Sequence, residues 1–355
     1  MNNIIQPTDS PFLAVIDHEA SDLMSRNHFG QAMRTTSTHN SFRLFLKACN
    51  MEQATIDDIT PPLISNYQQW LEQRGVSRNS SSCYMRTLQS IYNKTHNSCD
   101  PQHPGNPFTG VYKGIARTRK RATTIDTMKR IRSLNIYQGL IDMGKDPNHK
   151  TFITLQQKLS FTRDLFIFSY CTRGMAFVDA AYLRWSDLHG NILCYKRHKT
   201  HQTIEVVLEP IALDIIGHHA TRQDSSIYIF PIIHSANAAK AYHEYRSALR
   251  TYNEYLKTLS QMLGNDINLT SYVARHSWAS NMHQLNMPLS VISQGLGHDS
   301  ELTTQIYIKS LETNEIHRAN KEFINHVFPP LFLSEERDVY LMTETDSSFI
   351  HHDTV

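Results

Sequence analysis

Between Ser98 and Ile115 the chain reads SCDPQHPGNPFTGVYKGI, with three prolines and three glycines. Such a stretch cannot continue a helix or a central strand, so it divides what can fold on either side. Before it, apolar residues recur only at helical spacing and no strand is needed. Residues 1–10 lack periodicity. The pattern FLAVIDHEASDLM predicts a helix from Phe12 to about Met33, and Phe42, Phe45 and Leu46 predict a second over Thr38 to Ala48. Thr60 fits an N-cap with Pro61 in the first turn, and Leu63, Tyr67, Trp70 and Leu71 make one apolar face that Gly75 stops. A fourth helix runs from Arg78 to Thr95. Four helices in about 100 residues make a small bundle.

Beyond the loop the pattern is mixed. Helices are expected over Ile125–Ile141 and Phe161–Tyr170. In CTRGMAFVDAAYLRWSDL, Met175, Val178, Tyr182 and Leu183 keep helical spacing until Trp185-Ser186-Asp187 turns. Ile192–Tyr195 and Thr203–Leu208 read as two strands joined by RHKTH, which puts Lys199 near a hairpin tip. Helices resume at Ile211, over Tyr242–Met262, and in the stretch Leu269–Ile308. The fold class is mainly α, with a helical N-terminal domain and a mixed α+β domain built round a small antiparallel sheet.

Charge and composition limit the function. A hydrophobic content of 40% suits a soluble globular protein, and no apolar run of membrane-spanning length occurs. The N-terminus has no basic region leading into an apolar core, so a signal peptide is not expected. Five scattered cysteines without a CxxC pair fit reduced thiols in a cytoplasm. Adjacent histidines such as His218-His219 face different ways on a helix, and no metal site is expected. The net charge is only +2, but Leu333 to Val355 holds six acids against one arginine. Lys113 to Arg132 holds eight basic residues against one acid, Asp126. A basic run there fits a phosphate backbone as well as a solvated face.

The chemistry concentrates in LTSYVARHSWASNMHQLNMPLSVISQGLGHDSELTTQIYI. His298 lies 23 positions after Arg275, and Tyr307 nine after His298. An arginine, a histidine and a tyrosine brought together suggest attack of a phenol oxygen on a phosphodiester. Gly295-Leu296-Gly297-His298 lacks the third glycine and the preceding strand of a nucleotide loop, so a helix end fits it better.

These motifs, taken in order, resemble the tyrosine recombinases, or phage integrases. Arg173 is expected in a helix ahead of the L-R-W-S-D-L turn, Lys199 sits in the hairpin, Arg275 is followed by His-Ser-Trp-Ala-Ser, Gly297-His298 closes L-G-H, and Tyr307 follows. The resemblance implies a helical core-binding (SAM-like) domain over 11–112 and a basic linker over 113–123. A catalytic domain over 124–328 and an acidic tail over 329–355 complete the expected layout. Larger integrases often add an N-terminal domain for distant arm sites; about ten residues precede the first helix here, so none is expected. The resemblance further implies that Arg173 and Arg275 clamp the phosphate through charge-assisted, bidentate hydrogen bonds. Tyr307 would be the nucleophile, Lys199 the proton donor to the leaving oxygen, and His298 a hydrogen-bond donor to the phosphate. No ATP, metal or other cofactor is implied, because the covalent link keeps the bond energy. Arg117, Arg119, Lys120 and Arg121 would follow the DNA backbone. The partners implied are double-stranded DNA, further copies of the chain up to a tetramer, and accessory DNA-bending proteins, in a bacterial cytoplasm at the nucleoid, with no membrane.

The chain departs from the family pattern twice. Tyr272 stands where a histidine is usual. Ala176 occupies the usual slot of the first arginine, three residues before Asp179. An Arg-Gly-Met segment at this point resembles Bacteroides-type integrases and invertases, which favours Arg173, with Arg163 and Arg184 as fallbacks. Asp179 is expected as a buried partner of an active-site arginine. Site-specific integration, excision or inversion is the function implied. The alternatives are a degenerate DNA-binding protein of the same fold, or a type IB-like topoisomerase.

Overall fold

The computed structural model describes residues 11–95, 106–116, 122–220, 226–264 and 267–297. The N-terminal part contains α1 (Phe12–Ser25), α2 (Phe29–Ala48), α3 (Pro61–Gln73) and α4 (Arg78–Thr95). The first break falls earlier than the sequence suggested. Asn27 takes a φ of 62°, a left-handed conformation that asparagine tolerates. The gap expected between Met33 and Thr38 lies inside α2. Thr36, Ser37 and Thr38 bond their hydroxyls back to the carbonyls of Ala32, Met33 and Arg34, so the helix passes through them.

Tyr67 organises this first core. Its ring meets Phe42 at 5.0 Å and Phe45 at 5.1 Å, and its hydroxyl reaches Ser41 Oγ at 2.7 Å. Burial pushes its phenol pKa far up, so the hydroxyl stays a donor. Thr60 has the extended backbone of an N-cap, but its side chain makes no cap bond. At the other end of α3, Gly75 at φ 69° donates to Glu72 O and Val76 to Leu71 O, a Schellman close. Residues 106–116, the described end of the Pro/Gly-rich stretch, pack back onto this bundle. Phe108 is fully buried in it, Ser82 Oγ donates to Gly114 O at 2.6 Å, and Asn79 pairs with both main-chain groups of Ala116.

The following part begins with α5 (Ile125–Arg132) and α6 (Ile136–Asp142), where one helix over 125–141 was expected. Asn135 accounts for the division, because its side chain caps Gln138 N at 3.1 Å. Then come α7 (Phe152–Cys171), α8 (Phe177–Ala181), β1 (Leu188–His189), β2 (Ile192–Lys196) and β3 (Thr203–Val207). The strands form an antiparallel sheet in the order β1-β2-β3, with Ile192 opposite Val207 and Lys196 opposite Thr203. The hairpin matches the sequence reading; the two-residue β1 was not foreseen. The chain continues through α9 (Pro210–His219), α10 (Ala238–Leu263), α11 (Val273–Gln284) and α12 (Leu289–Leu296).

α7 is the central helix, packed by α5, α6, α9, α10 and α11. Its residues Phe166 and Phe168 are fully buried, and Phe168 meets Phe230 edge-on at 5.1 Å. Such an aromatic pair adds about 1 kcal/mol beyond its area burial. Among the described residues no helix is long and apolar enough to cross a membrane. The four cysteines among them, Cys49, Cys83, Cys171 and Cys194, are free thiols.

Candidate active site

Arg275 sits in the first turn of α11 and is only 3% exposed. A buried guanidinium must be satisfied, and this one is held from two sides. Nη1 donates to Gly174 O at 3.0 Å, and Nη2 donates to Leu296 O at 2.6 Å. The turn between α7 and α8 is thereby tied to the end of α12. Gly174 is needed for this. It takes φ 69°, and a β-carbon there would lie 2.6 Å from Arg275 Cα.

Arg173 precedes it in the same turn, half-buried, at φ 60°. The sequence reading put Arg173 on a helix. The structure puts it instead in a left-handed turn, because α7 ends at Cys171 and α8 starts only at Phe177. Arg173, Arg197 and Arg275 all bear on Tyr195. Burial dominates that phenol and raises its pKa, Asp179 raises it further, and the three arginine charges oppose the rise.

Lys199 is exposed in the turn between β2 and β3, as expected. Two residues before it, Arg197 is 4% exposed. Its Nη1 donates to Gly297 O at 2.6 Å and Leu296 O at 3.2 Å. Arg197 and Arg275 therefore share one carbonyl oxygen at the C-terminus of α12. The last carbonyls of a helix carry partial negative charge and favour cations there. Asp179, 4% exposed, supplies the formal counter-charge. Its carboxylate lies 4.0 Å from Arg197 Nε and accepts the His198 main-chain N–H at 2.9 Å. Asp179 is thus the buried partner of an arginine, but that arginine is Arg197.

Arg197 was missed in the sequence. The signal was present: Leu193 and Tyr195 are buried on one face of β2, and Arg197, the first residue beyond the strand, continues that buried alternation. A charged residue continuing an inward register marks a paired internal charge.

Gly297 caps α12 in the left-handed conformation at φ 62° and packs on the hairpin, where a β-carbon would lie 2.6 Å from Ile204 Cδ1. His298 is the next residue in the chain. His298 and Tyr307 lie outside the described residues, as do Arg117, Arg119, Lys120 and Arg121. At the last residue of the expected linker, Thr123 N and Oγ1 bond the Oγ of Ser277, two positions after Arg275, at 2.8 and 2.9 Å.

Tyr272 is the N-cap residue of α11, 43% exposed, with its ring 5.8 Å from that of His276. The fallback arginines are used otherwise. Arg163 bonds Asp164 and Leu134 O, while Arg184 lies 6.0 Å over the Tyr228 ring. A cleft beside the hairpin is lined by Lys199, Arg184, His201 and Arg246, and from the first bundle by Arg34 and Tyr84. Phe29 of α2 stacks on Tyr242 of α10 at 5.1 Å at its edge. Tyr182 lines the same cleft, and burial, helped by neighbouring tyrosines, pushes its pKa up to about 12. Among the described residues no group of three or more His, Cys, Asp or Glu could hold a metal ion.

A helical bundle followed by an arginine-rich site on a small sheet defines an integrase-type class of fold, and comparison with known proteins agrees. The phage integrase family pattern matches residues 151–314, and the phage integrase SAM-like domain matches residues 11–98. The chain belongs to the phage integrase family of tyrosine recombinases. Among solved structures it is similar to a lambda integrase dimer bound to a COC' core site. The identity is 15%, covering 84% of this chain and 79% of that one, with a TM-score of 0.57. A lambda integrase tetramer bound to a Holliday junction matches at 15% identity, over 83% of this chain and 76% of that one, with a TM-score of 0.56. The Tn1549 transposon integrase in complex with a circular intermediate DNA matches at 12% identity, over 87% and 99%, with a TM-score of 0.52. No curated protein matches the chain.

Proposed function

We propose that this chain is a site-specific DNA recombinase that cuts and rejoins duplex DNA through a 3′-phosphotyrosyl intermediate. One observation carries the reading. The Arg173-Gly174 turn, Arg275 and the Lys199 hairpin are all tied to the end of α12, whose next residue but one is His298.

In this reading Arg173 and Arg275 hold the non-bridging oxygens of the scissile phosphate, where negative charge builds as the reaction proceeds. The Tyr307 oxygen loses its proton to solvent as it attacks phosphorus, the bond to the 5′ oxygen breaks, and Lys199 gives that oxygen a proton. His298 donates a hydrogen bond to the phosphate. Tyr272 stands at the place of a histidine and offers a neutral hydroxyl instead. Attack by a 5′ hydroxyl from the partner strand reverses the sequence and releases Tyr307.

Residues 11–112 and 124–328 act as the two DNA-facing domains, joined by the linker 113–123 with Arg117, Arg119, Lys120 and Arg121 along the backbone. The tail 329–355 contacts a neighbouring copy in a tetramer. The tetramer found for lambda integrase on a Holliday junction supports that assembly. Accessory DNA-bending proteins are further partners, and the work is done at the bacterial nucleoid.

Covalent capture tests the reading. Purified protein is mixed with sheared genomic DNA of its host, and DNA that stays with protein in hot detergent is sequenced. Wild type is expected to retain one recurrent site, and Tyr307→Phe none. Equal retention by Tyr307→Phe removes the nucleophile; specific binding without retention marks a degenerate binding protein; retention without a recurrent site, with relaxation of any plasmid, marks a topoisomerase.

A further inference from the structure

Arg197 is a buried charge for which the cleavage chemistry above has no use, and such a charge is costly unless it is well engaged. Its engagements come from three separate elements. The side chain takes Leu296 O and Gly297 O at the end of α12, and Nε faces Asp179 of α8 at 4.0 Å without a hydrogen bond of its own. The main chain closes the hairpin turn: Arg197 N donates to Gln202 O at 2.9 Å, and His201 N donates to Arg197 O at 2.9 Å. Lys199 lies inside that closed turn, and His298 follows the carbonyl that Arg197 holds most tightly. Asp179 accepts the N–H of His198, the residue between Arg197 and Lys199. Lysine at this position would bring one point charge where a planar fork now spans two carbonyls and faces a carboxylate.

We propose that Arg197 is a positioning residue for strand cleavage, holding the hairpin against the end of α12 so that Lys199 meets the scissile phosphate. The assignment rests on the recombinase reading above. Arg197 touches no reacting atom; it acts through the turn and the two carbonyls. When the P–O5′ bond breaks and the Tyr307–phosphorus bond forms, the departing oxygen needs the Lys199 proton. A hairpin released from α12 leaves that oxygen without a well-placed acid, while Arg275 keeps Gly174 O.

The test uses the full chain and a nicked duplex carrying the captured site. The duplex is made with either oxygen or sulfur bridging the scissile phosphorus and the 5′ carbon. A thiolate has a far lower proton affinity than an alkoxide and leaves without an acid. Arg197→Lys is expected to cut the oxygen duplex about 100-fold more slowly than wild type, the usual size of a loss from small misplacement. It should cut the sulfur duplex near the wild-type rate and bind both with unchanged affinity. Asp179→Asn, which keeps shape and removes the counter-charge, should show the same pattern and stands in if Arg197→Lys fails to fold. A variant that cuts the oxygen duplex at the wild-type rate overturns the assignment. Equal loss on both duplexes, or loss of binding, reduces Arg197 to a structural role and also overturns it. A wild type that captures no DNA fails earlier and sinks the recombinase reading itself, so the two failures are told apart.

Discussion

The main chains of Gly174 and Arg275 are in contact: a β-carbon added at Gly174 would lie 2.6 Å from the Arg275 α-carbon. The obstacle is backbone, not the end of a flexible side chain, and Gly174 also takes φ 69°. Gly174→Ala is therefore expected to destabilise the fold by about 2 kcal/mol, the range for a strained left-handed residue plus a forced shift. Chemical denaturation measures this. A stability equal to wild type would show that the turn and α11 can separate freely.

Tyr272 offers a second test. Tyrosine does not titrate near neutrality, whereas an exposed histidine does so at about pH 6.5. Tyr272→His should add a new limb near that pH to the cleavage rate profile, and Tyr272→Phe should leave the profile shape unchanged. Rate measurements from pH 5 to 9 on the captured site read both. Identical profiles for all three proteins would remove Tyr272 from the proton path.

Asp164 gives a stability prediction independent of DNA. Burial works against its ionisation, yet hydrogen bonds from His219 at 2.7 Å and Arg163 at 2.8 Å, with the Arg163 charge, hold its pKa below the ordinary 3.8. A depressed carboxylate pKa stabilises the fold above its unfolded value, and the contribution fades as pH falls through the folded value. Asp164→Asn should thus lower Tm at pH 7, and the gap to wild type should narrow below about pH 3.8, the ordinary value it starts from. A gap that is constant with pH would assign the loss to packing.

The Phe29–Tyr242 stack is the fourth test. An aromatic pair at this distance couples by about 1 kcal/mol beyond its area burial. A double-mutant cycle with Phe29→Ala and Tyr242→Ala should recover a coupling of that size in urea unfolding. Additive single effects would mean that α2 and α10 do not hold each other in solution.

Legibility in the sequence followed the range of the forces involved. α3, α4 and the β2–β3 hairpin were readable because their signals are local: Pro61 and Gly75 at the ends of one helix, alternation in the strands. The α1–α2 break was misplaced because hydroxyl back-bonding in Thr36, Ser37 and Thr38 looks like a stop in one dimension. α5 and α6 were merged because apolar spacing carried over Asn135, which acts as a cap. Arg173 was set on a helix because nothing near it reveals Gly174 pressing on Arg275, 101 residues away. Arg197 escaped notice because charge usually means surface, and its two carbonyl partners lie about a hundred positions downstream.

Arg173 occupies the left-handed region at φ 60°, a conformation that disfavours every side chain except a few small polar ones. Glycine or asparagine there would relax the turn, and a chain selected for thermal endurance alone would carry one of them. In the proposed function, arginine there accepts a less stable turn in exchange for a charge on the phosphate. Arg173→Gly should therefore raise the melting temperature while removing strand cleavage, a trade between robustness and activity localised to a single backbone angle.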